Sequence, residues 1–164
     1  PTEEIYSAPQ ADAVNGTVYS TRPLVYNGNT IDRFHLTFKD GKVVDAAAEI
    51  GEDVLKKLVA VDEGAGRLGE VALIPYASPI SLSGILFYET LFDENASCHL
   101  ALGASYPTCL KGGTELDKEG LSKAGLNDSM IHVDFMVGSK DLTITGLKKD
   151  GTVVPVFTNG NWAE

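Results

Sequence analysis

The run Phe34-His35-Leu36-Thr37-Phe38 alternates apolar and polar side chains and leads into Asp40-Gly41 and then Lys42-Val43-Val44. Successive side chains of a strand point to opposite faces, so the alternation marks a strand with one buried face. An Asp-Gly pair between two such runs supplies the positive φ values of a tight hairpin. The pattern recurs downstream, where residues 141–147 and 152–157 flank Asp150-Gly151. Antiparallel pairing is the expected result. Residues 17–48 therefore read as strands, residues 71–74 as a buried strand stopped by Pro75, and residues 131–137 as the clearest strand after that.

Helical signals are short. Val54, Leu55, Leu58 and Val59 share one helical face, and that helix should end before Gly64 and Gly66. A second helix is expected over about residues 117–124, closed by Gly125 at the C-terminal cap. The stretch holding Ser78-Pro79 and Gly84 reads as irregular. The expected fold class is α+β, mainly antiparallel strands with two or three short helices, with any site on strand ends and connecting loops.

The 164 residues suit one domain rather than two. Thirteen basic against 23 acidic residues give a formal charge of −10, which disfavours nucleic acid and anionic membrane surfaces and favours cations. No segment approaches the roughly 18 uninterrupted apolar residues of a membrane span. Cys98 and Cys109 are too few for a disulfide framework, and the reading is a reducing, cytoplasmic setting with two free thiols. The start at Pro1, without methionine, reads as a cut end. No repeat occurs, and Gly64-Ala65-Gly66 lacks the context of a phosphate-binding loop.

Candidate chemistry concentrates in two segments. In Ile131-His132-Val133-Asp134-Phe135, strand geometry projects His132 and Asp134 on one face while the apolar residues pack into the core. The bland alternative is a half-buried strand with a wet polar face. The second segment runs from Asp93 to His99 and on to Tyr106. Glu94 and His99, five apart, share neither a helix face nor a strand face, so only a loop brings them together. His99 and Tyr106, seven apart, align on a helix and diverge on a strand. Glu4 and Glu70, taken singly, read as solvated carboxylates, and Tyr106 as a core residue with its hydroxyl at the surface. Neither cysteine has the neighbours of a thiol protease or the spacing of a zinc site. His35 lacks an acidic neighbour in sequence and reads as structural or solvent-facing.

Taken together, several stretches resemble the C-terminal part of the aminopeptidase T, aminopeptidase S and PepS family of metallopeptidases. They are Pro1-Thr2-Glu3-Glu4, Arg67-Leu68-Gly69-Glu70-Val71-Ala72-Leu73, Leu86-Phe87-Tyr88, Leu91-Phe92-Asp93-Glu94-Asn95-Ala96-Ser97-Cys98-His99, Gly125-Leu126-Asn127-Asp128-Ser129 and His132-Val133-Asp134-Phe135-Met136. The likeness implies that Glu4, Glu70, Glu94, His99, His132 and Asp134 are metal ligands and that Tyr106 is an active-site tyrosine. It implies two divalent ions, zinc, cobalt or manganese, with peptides bearing a free N-terminus as substrates and a homodimer in the full-length protein. It also makes residues 1–164 the catalytic domain of a chain whose larger N-terminal domain is absent here.

Four converging carboxylates repel one another in a poorly solvated cleft, and two divalent ions cancel that charge. Glu70 is read as a bridging carboxylate, and Tyr106 as a donor to a developing oxyanion. Glu3, Glu4 and Glu70 remain open as general base. Two other classes stand beside this reading: a non-catalytic metal-binding or dimerisation fragment, and an all-β interaction module without metal.

Overall fold

The computed structural model describes residues 4–164. Its strands are β1 (Ile5–Ser7), β2 (Gly16–Tyr19), β3 (Leu24–Tyr26), β4 (Asn29–Lys39), β5 (Lys42–Ile50), β6 (Leu68–Leu73), β7 (His99–Gly103), β8 (His132–Met136), β9 (Ile144–Leu147), β10 (Val153–Thr158) and β11 (Asn161–Trp162). The helices are α1 (Glu52–Leu58), α2 (Pro79–Ser83), α3 (Thr90–Asp93) and α4 (Lys118–Lys123), with 3-10 turns at Glu94–Ala96, Pro107–Cys109 and Gly113–Glu115. Every strand pairing among the described residues is antiparallel. The fold is thus the expected α+β class.

The first hairpin forms where the alternation placed it. Asp40 and Gly41 both take positive φ, 49° and 79°, as the two central residues of a type I′ turn do. Gly41 is needed for a second reason, because a Cβ there would lie 1.8 Å from the Ala11 carbonyl oxygen. Phe34, Leu36 and Phe38 are buried on the inner face of β4. Across the hairpin, His35 meets Asp45, with Nε2 2.9 Å from Oδ2. Its acidic partner is distant in sequence and adjacent in the sheet.

Helix α1 buries Leu55 and Leu58 against the same core. Helix α4 starts at Asp117, whose side chain accepts from the Gly120 amide, and the chain leaves it through Gly125 at φ 92°. Where irregular chain was expected around Ser78-Pro79 and Gly84, α2 forms a short helix, and α3 is a further single turn that no sequence pattern had signalled. Ser78 caps α2 by accepting from the Ser81 amide, Pro79 occupies its first turn, and Gly84 closes it at φ 67°. Such Ser-Pro and Gly signals bound a single turn as well as they punctuate a loop.

The sheet that carries the site has the order β1-β6-β7-β8. Its cross-strand rows alternate faces. Leu68, Leu102 and Val133 share one row, and Leu100 and Phe135 face each other in another; these belong to the core, with the Phe135 ring 5.6 Å from that of Phe34. The intervening rows put Glu70 and Asp134 on either side of Ala101, and His132 beside Gly103, on the opposite face.

A β-bulge sets this arrangement. Leu68 pairs with Leu102 while Glu70 pairs with the adjacent Ala101, so Gly69 is an extra residue in β6. Without it, Glu70 would share the core face with Leu68; the bulge turns its carboxylate to the other side. Gly69 must lack a side chain, since a Cβ would lie 2.2 Å from the Ala104 carbonyl oxygen and 2.4 Å from that of Gly103. Gly69→Ala is expected to cost about 2–4 kcal/mol through this backbone overlap. Urea denaturation checks it, and unchanged stability would show that the bulge relaxes freely.

Candidate metal centre

Six side chains, from four elements and the residue preceding β1, converge on the outer face of this sheet. Glu4 immediately precedes β1, Glu70 follows the bulge of β6, and Glu94 opens the 3-10 turn Glu94–Ala96. His99 begins β7, and His132 and Asp134 lie two apart on β8. Three overlapping sets, Glu4 with Glu70 and His99, Glu70 with His132 and Asp134, and Glu94 with His99 and Asp134, each bring one ligand atom per residue within 4.8 Å of the others. These are the six residues that the sequence singled out.

Glu70 stands at the centre. Its Oε1 lies 3.7 Å from His99 Nε2 and its Oε2 lies 3.2 Å from His132 Nε2. One carboxylate therefore presents a separate oxygen to each histidine. Glu4 Oε1 approaches His99 Nε2 at 3.7 Å, and Asp134 Oδ1 approaches His132 Nε2 at 3.4 Å. The small residues Ala101 and Gly103 occupy the strand between, leaving room for longer side chains to converge above them.

Both imidazoles are oriented so that Nε2 is the ligating nitrogen of the neutral ring. His99 Nδ1 lies 3.0 Å from the Glu94 carbonyl oxygen and 3.1 Å from that of Ser97, and His132 Nδ1 lies 2.8 Å from the Ala104 carbonyl oxygen. A carbonyl only accepts, so each Nδ1 carries the proton and donates it. In the neutral ring this leaves the Nε2 lone pair facing the carboxylates, as metal-binding histidines require.

Burial and mutual proximity shift the protonation of these groups. Burial, reinforced by the Asp134 carboxylate, raises Glu94 to about 7. Burial also raises Glu4, outweighing the lowering effect of His99. Burial opposes ionisation of Glu70 too, but the hydrogen bonds of His132 and His99 bring it down to about 2. Burial disfavours charged His132, yet Asp134 and Glu70 raise it to about 10. Crowded acids holding protons, beside histidines forced to carry them, are what divalent cations relieve. Oxygen and imidazole donors in these numbers fit such ions.

Tyr106 lies beyond β7, in neither of the regular elements considered from spacing. The chain turns after Gly103 and lays the Tyr106 ring 4.7 Å from the His132 ring and 6.2 Å from that of Tyr6. Burial and the nearby carboxylates of Glu70, Asp134 and Glu94 push its phenol above the usual value. It therefore keeps its proton near neutrality. All of the six candidate ligands but His99 line a cleft of about 630 Å³, together with Tyr6, Tyr26, Leu91 and Tyr106. Tyr6 gave no signal by spacing, because it reaches the site only through the β1–β6 pairing. Glu3, one of the general-base candidates, lies outside the described residues.

A second concavity of about 660 Å³ holds none of these groups. Its Lys118 pairs with Asp128, while Asp62 accepts from Ser129 Oγ and from the Met130 amide. The thiols are free. Cys98 is buried with its Sγ between the amide and carbonyl of Ile74, whereas Cys109 is only half-buried. Replacing both with Ala is expected to leave zinc binding unchanged and to lower stability by about 1 kcal/mol through the lost Cys98 contacts. Loss of zinc binding in a folded double variant would contradict the six-residue ligand set.

A cluster of two histidines and four carboxylates, with ring nitrogens oriented by backbone carbonyls, is the donor set of a carboxylate–histidine metal site. Residues 1–162 match the family described as thermophilic metalloprotease, M29. The chain belongs to that family. It is 61% identical over 163 residues to Aminopeptidase 2 of Geobacillus stearothermophilus and 59% identical over 163 residues to Aminopeptidase AmpS of Bacillus subtilis. In each case the alignment covers 99% of this chain and 40% of the relative. The solved structure of wild-type AmpT from Thermus thermophilus superposes with a TM-score of 0.93 at 44% identity, covering all of this chain and 40% of that one. The chain thus spans about 40% of the length of the relatives it matches.

Proposed function

We propose that this chain is the catalytic, metal-binding domain of an aminopeptidase that removes N-terminal residues from peptides. The observation that carries the reading is the Glu70 carboxylate set between His99 and His132, with the Tyr106 ring against His132 in an open cleft. Names of the relatives support peptide substrates.

In this reading Glu4, Glu70, Glu94, His99, His132 and Asp134 would together hold two divalent ions, with the Glu70 carboxylate lying between the two histidines. Four carboxylates match the charge of two such ions, and zinc, cobalt and manganese all suit the donors. When bound, the ions bring the pKa of water toward neutrality and polarise the scissile carbonyl. The remaining work belongs to the side chains. The Tyr106 phenol, protonated near neutrality, donates to the oxygen that gains charge in the transition state. Glu89, outside the ligand set, also lines the cleft, where a carboxylate would attract the substrate ammonium. The cleft walls hold the peptide near attack geometry and exclude water, a task shared with the rest of the full-length protein.

The net charge of −10 repels nucleic acid and anionic membranes, and among the described residues no helix is long and apolar enough to cross a membrane. Free thiols agree with a cytoplasmic location. The proposed homodimer of the full-length protein rests on family resemblance.

Hydrolysis of aminoacyl amides by the zinc- or cobalt-loaded full-length protein tests the reading. Cleavage should require a free α-amine, and Tyr106→Phe should lower kcat by about 100-fold or more while metal content is unchanged. The isolated chain should bind metal but turn over slowly. Equal cleavage of N-acetylated substrates would overturn exopeptidase action, and metal binding without any hydrolysis would favour a non-catalytic metal-binding module.

A further inference from the structure

Asp93 is buried to 3% exposure next to the candidate ligand Glu94, yet its carboxylate belongs to none of the three ligand sets. Both of its oxygens face a loop instead. Oδ1 accepts from the Phe87 amide at 2.9 Å and Oδ2 from the Glu89 amide at 3.1 Å. The Asp93 amide in turn donates to the Glu89 carbonyl at 3.0 Å. Residues 87–89 and Asp93 thus form a closed hydrogen-bonded loop. Tyr88 at its apex has φ 57°, a left-handed backbone that a tyrosine adopts only when its surroundings hold it there.

That loop connects to the site at both ends. Glu89, Thr90 and Leu91 continue from it as part of the cleft wall. On the other side Asp93 is covalently joined to Glu94, whose carbonyl accepts from His99 Nδ1 at 3.0 Å. Asn95 adds a tie by donating from its side-chain amide to the Leu91 carbonyl at 3.0 Å. A carboxylate can accept from both amides at once, one at each oxygen. An asparagine would turn an NH2 group toward one of them.

We propose that Asp93 is a positioning residue: by clamping the amides of Phe87 and Glu89, it fixes the cleft wall and holds Glu94 and His99 in the geometry that binds the cation. This rests on the metal-centre reading above. Its action is transmitted through the backbone of residues 89–94 and through the Glu94 carbonyl, without contact between Asp93 and the cation.

Asp62 provides an internal control, since it also pins loops by accepting from the Ala65 and Met130 amides but lines the separate concavity. Asp93→Asn and Asp62→Asn in the full-length protein are compared by zinc titration of the metal-free protein and by thermal unfolding without metal. Asp93→Asn should weaken zinc binding by about 10–100-fold, the range found when outer hydrogen-bond partners of metal sites are removed. Asp62→Asn should leave zinc affinity within about twofold of the parent, since it touches no group of the site. Both should lower thermal stability, so zinc affinity separates positioning from a general loss of packing. Kinetics should show Asp93→Asn lowering kcat as well as raising KM.

Equal zinc affinity of Asp93→Asn and the parent would overturn the proposal, as would an equal loss in Asp62→Asn. If Asp93→Asn does not fold, Asp93→Ser, which retains one hydroxyl acceptor, is read by the same criteria. Failure of the parent itself to bind zinc would overturn the metal-centre reading and this one with it. A parent that binds zinc without hydrolysing peptides would overturn only the enzymatic reading.

Discussion

Glu70→Gln is expected to weaken zinc binding at both positions of the cluster, by more than the ~10–100-fold that loss of an outer hydrogen-bond partner costs a metal site. Glu70 belongs both to the set with Glu4 and His99 and to the set with His132 and Asp134. Its two oxygens face different histidines, so a neutral amide removes the one charge shared between them. Glu4→Gln, by contrast, touches only the His99 side and should affect one position. The metal-free variant should also lose about 3–5 kcal/mol, because breaking a buried pair strands the remaining charge. Calorimetric zinc titration and urea unfolding measure the two effects. A Glu70→Gln protein that binds two zinc ions with the parent's affinity would remove Glu70 from the centre of the site.

The second large effect is a reversal of pH dependence on metal binding. Without metal, Glu94 holds its proton up to about 7 in the folded state, against an ordinary value of 4.5. Between those values the folded protein binds a proton that the unfolded chain has released, so stability falls as pH rises. His132, raised from 6.5 to about 10, acts in the same direction at higher pH: its contribution is complete below 6.5 and is lost as pH rises through 10. Glu70, lowered to about 2, contributes above 4.5 and is lost only as pH falls toward 2.

The metal-free protein should therefore lose thermal stability from about pH 5 to about pH 8. Cations compete with these protons, so zinc binding should release on the order of one to two protons near neutrality and strengthen as pH rises. The gap in unfolding temperature between zinc-loaded and metal-free protein should widen over the same range. Calorimetry in buffers of differing ionisation enthalpy counts the protons. A gap that narrows with rising pH, or binding without proton release, would show that Glu94 and His132 are not displaced by the cation.

Local pattern carried much of the fold. The Asp40-Gly41 hairpin follows from turn chemistry and two-residue alternation, both properties of adjacent residues. His132 and Asp134 share a face for the same reason. The short helix at Pro79–Ser83 has cap signals that also describe a loop, and the single turn at Thr90–Asp93 has no side-chain cap; neither was expected.

Individually, Glu4 and Glu70 looked like solvated carboxylates, and Glu70 is 4% exposed. Its burial depends on the bulge at Gly69 and on flanking strands contributed by residues near positions 5 and 100. Sequence spacing does not reveal such long-range pairing; a glycine within a strand pattern was the one available hint. Likewise, neither helix nor strand spacing describes His99 and Tyr106, because the chain turns between them after Gly103. Resemblance to a family supplied what spacing could not, since its motifs carry the tertiary arrangement with them. The Asp93 clamp was present in one of those motifs without any local sign of its role.

The proposed function stands on a two-ion centre held by Glu4, Glu70, Glu94, His99, His132 and Asp134. Its most direct test is the metal content of full-length protein, stripped with chelator, reloaded with zinc, desalted and measured by elemental analysis alongside the Glu70→Gln and His132→Ala variants. Two zinc ions per chain are expected in the parent, with loss of tight binding at both positions in Glu70→Gln and at one in His132→Ala. A folded parent that retains no zinc, or variants that retain as much as the parent, would contradict it.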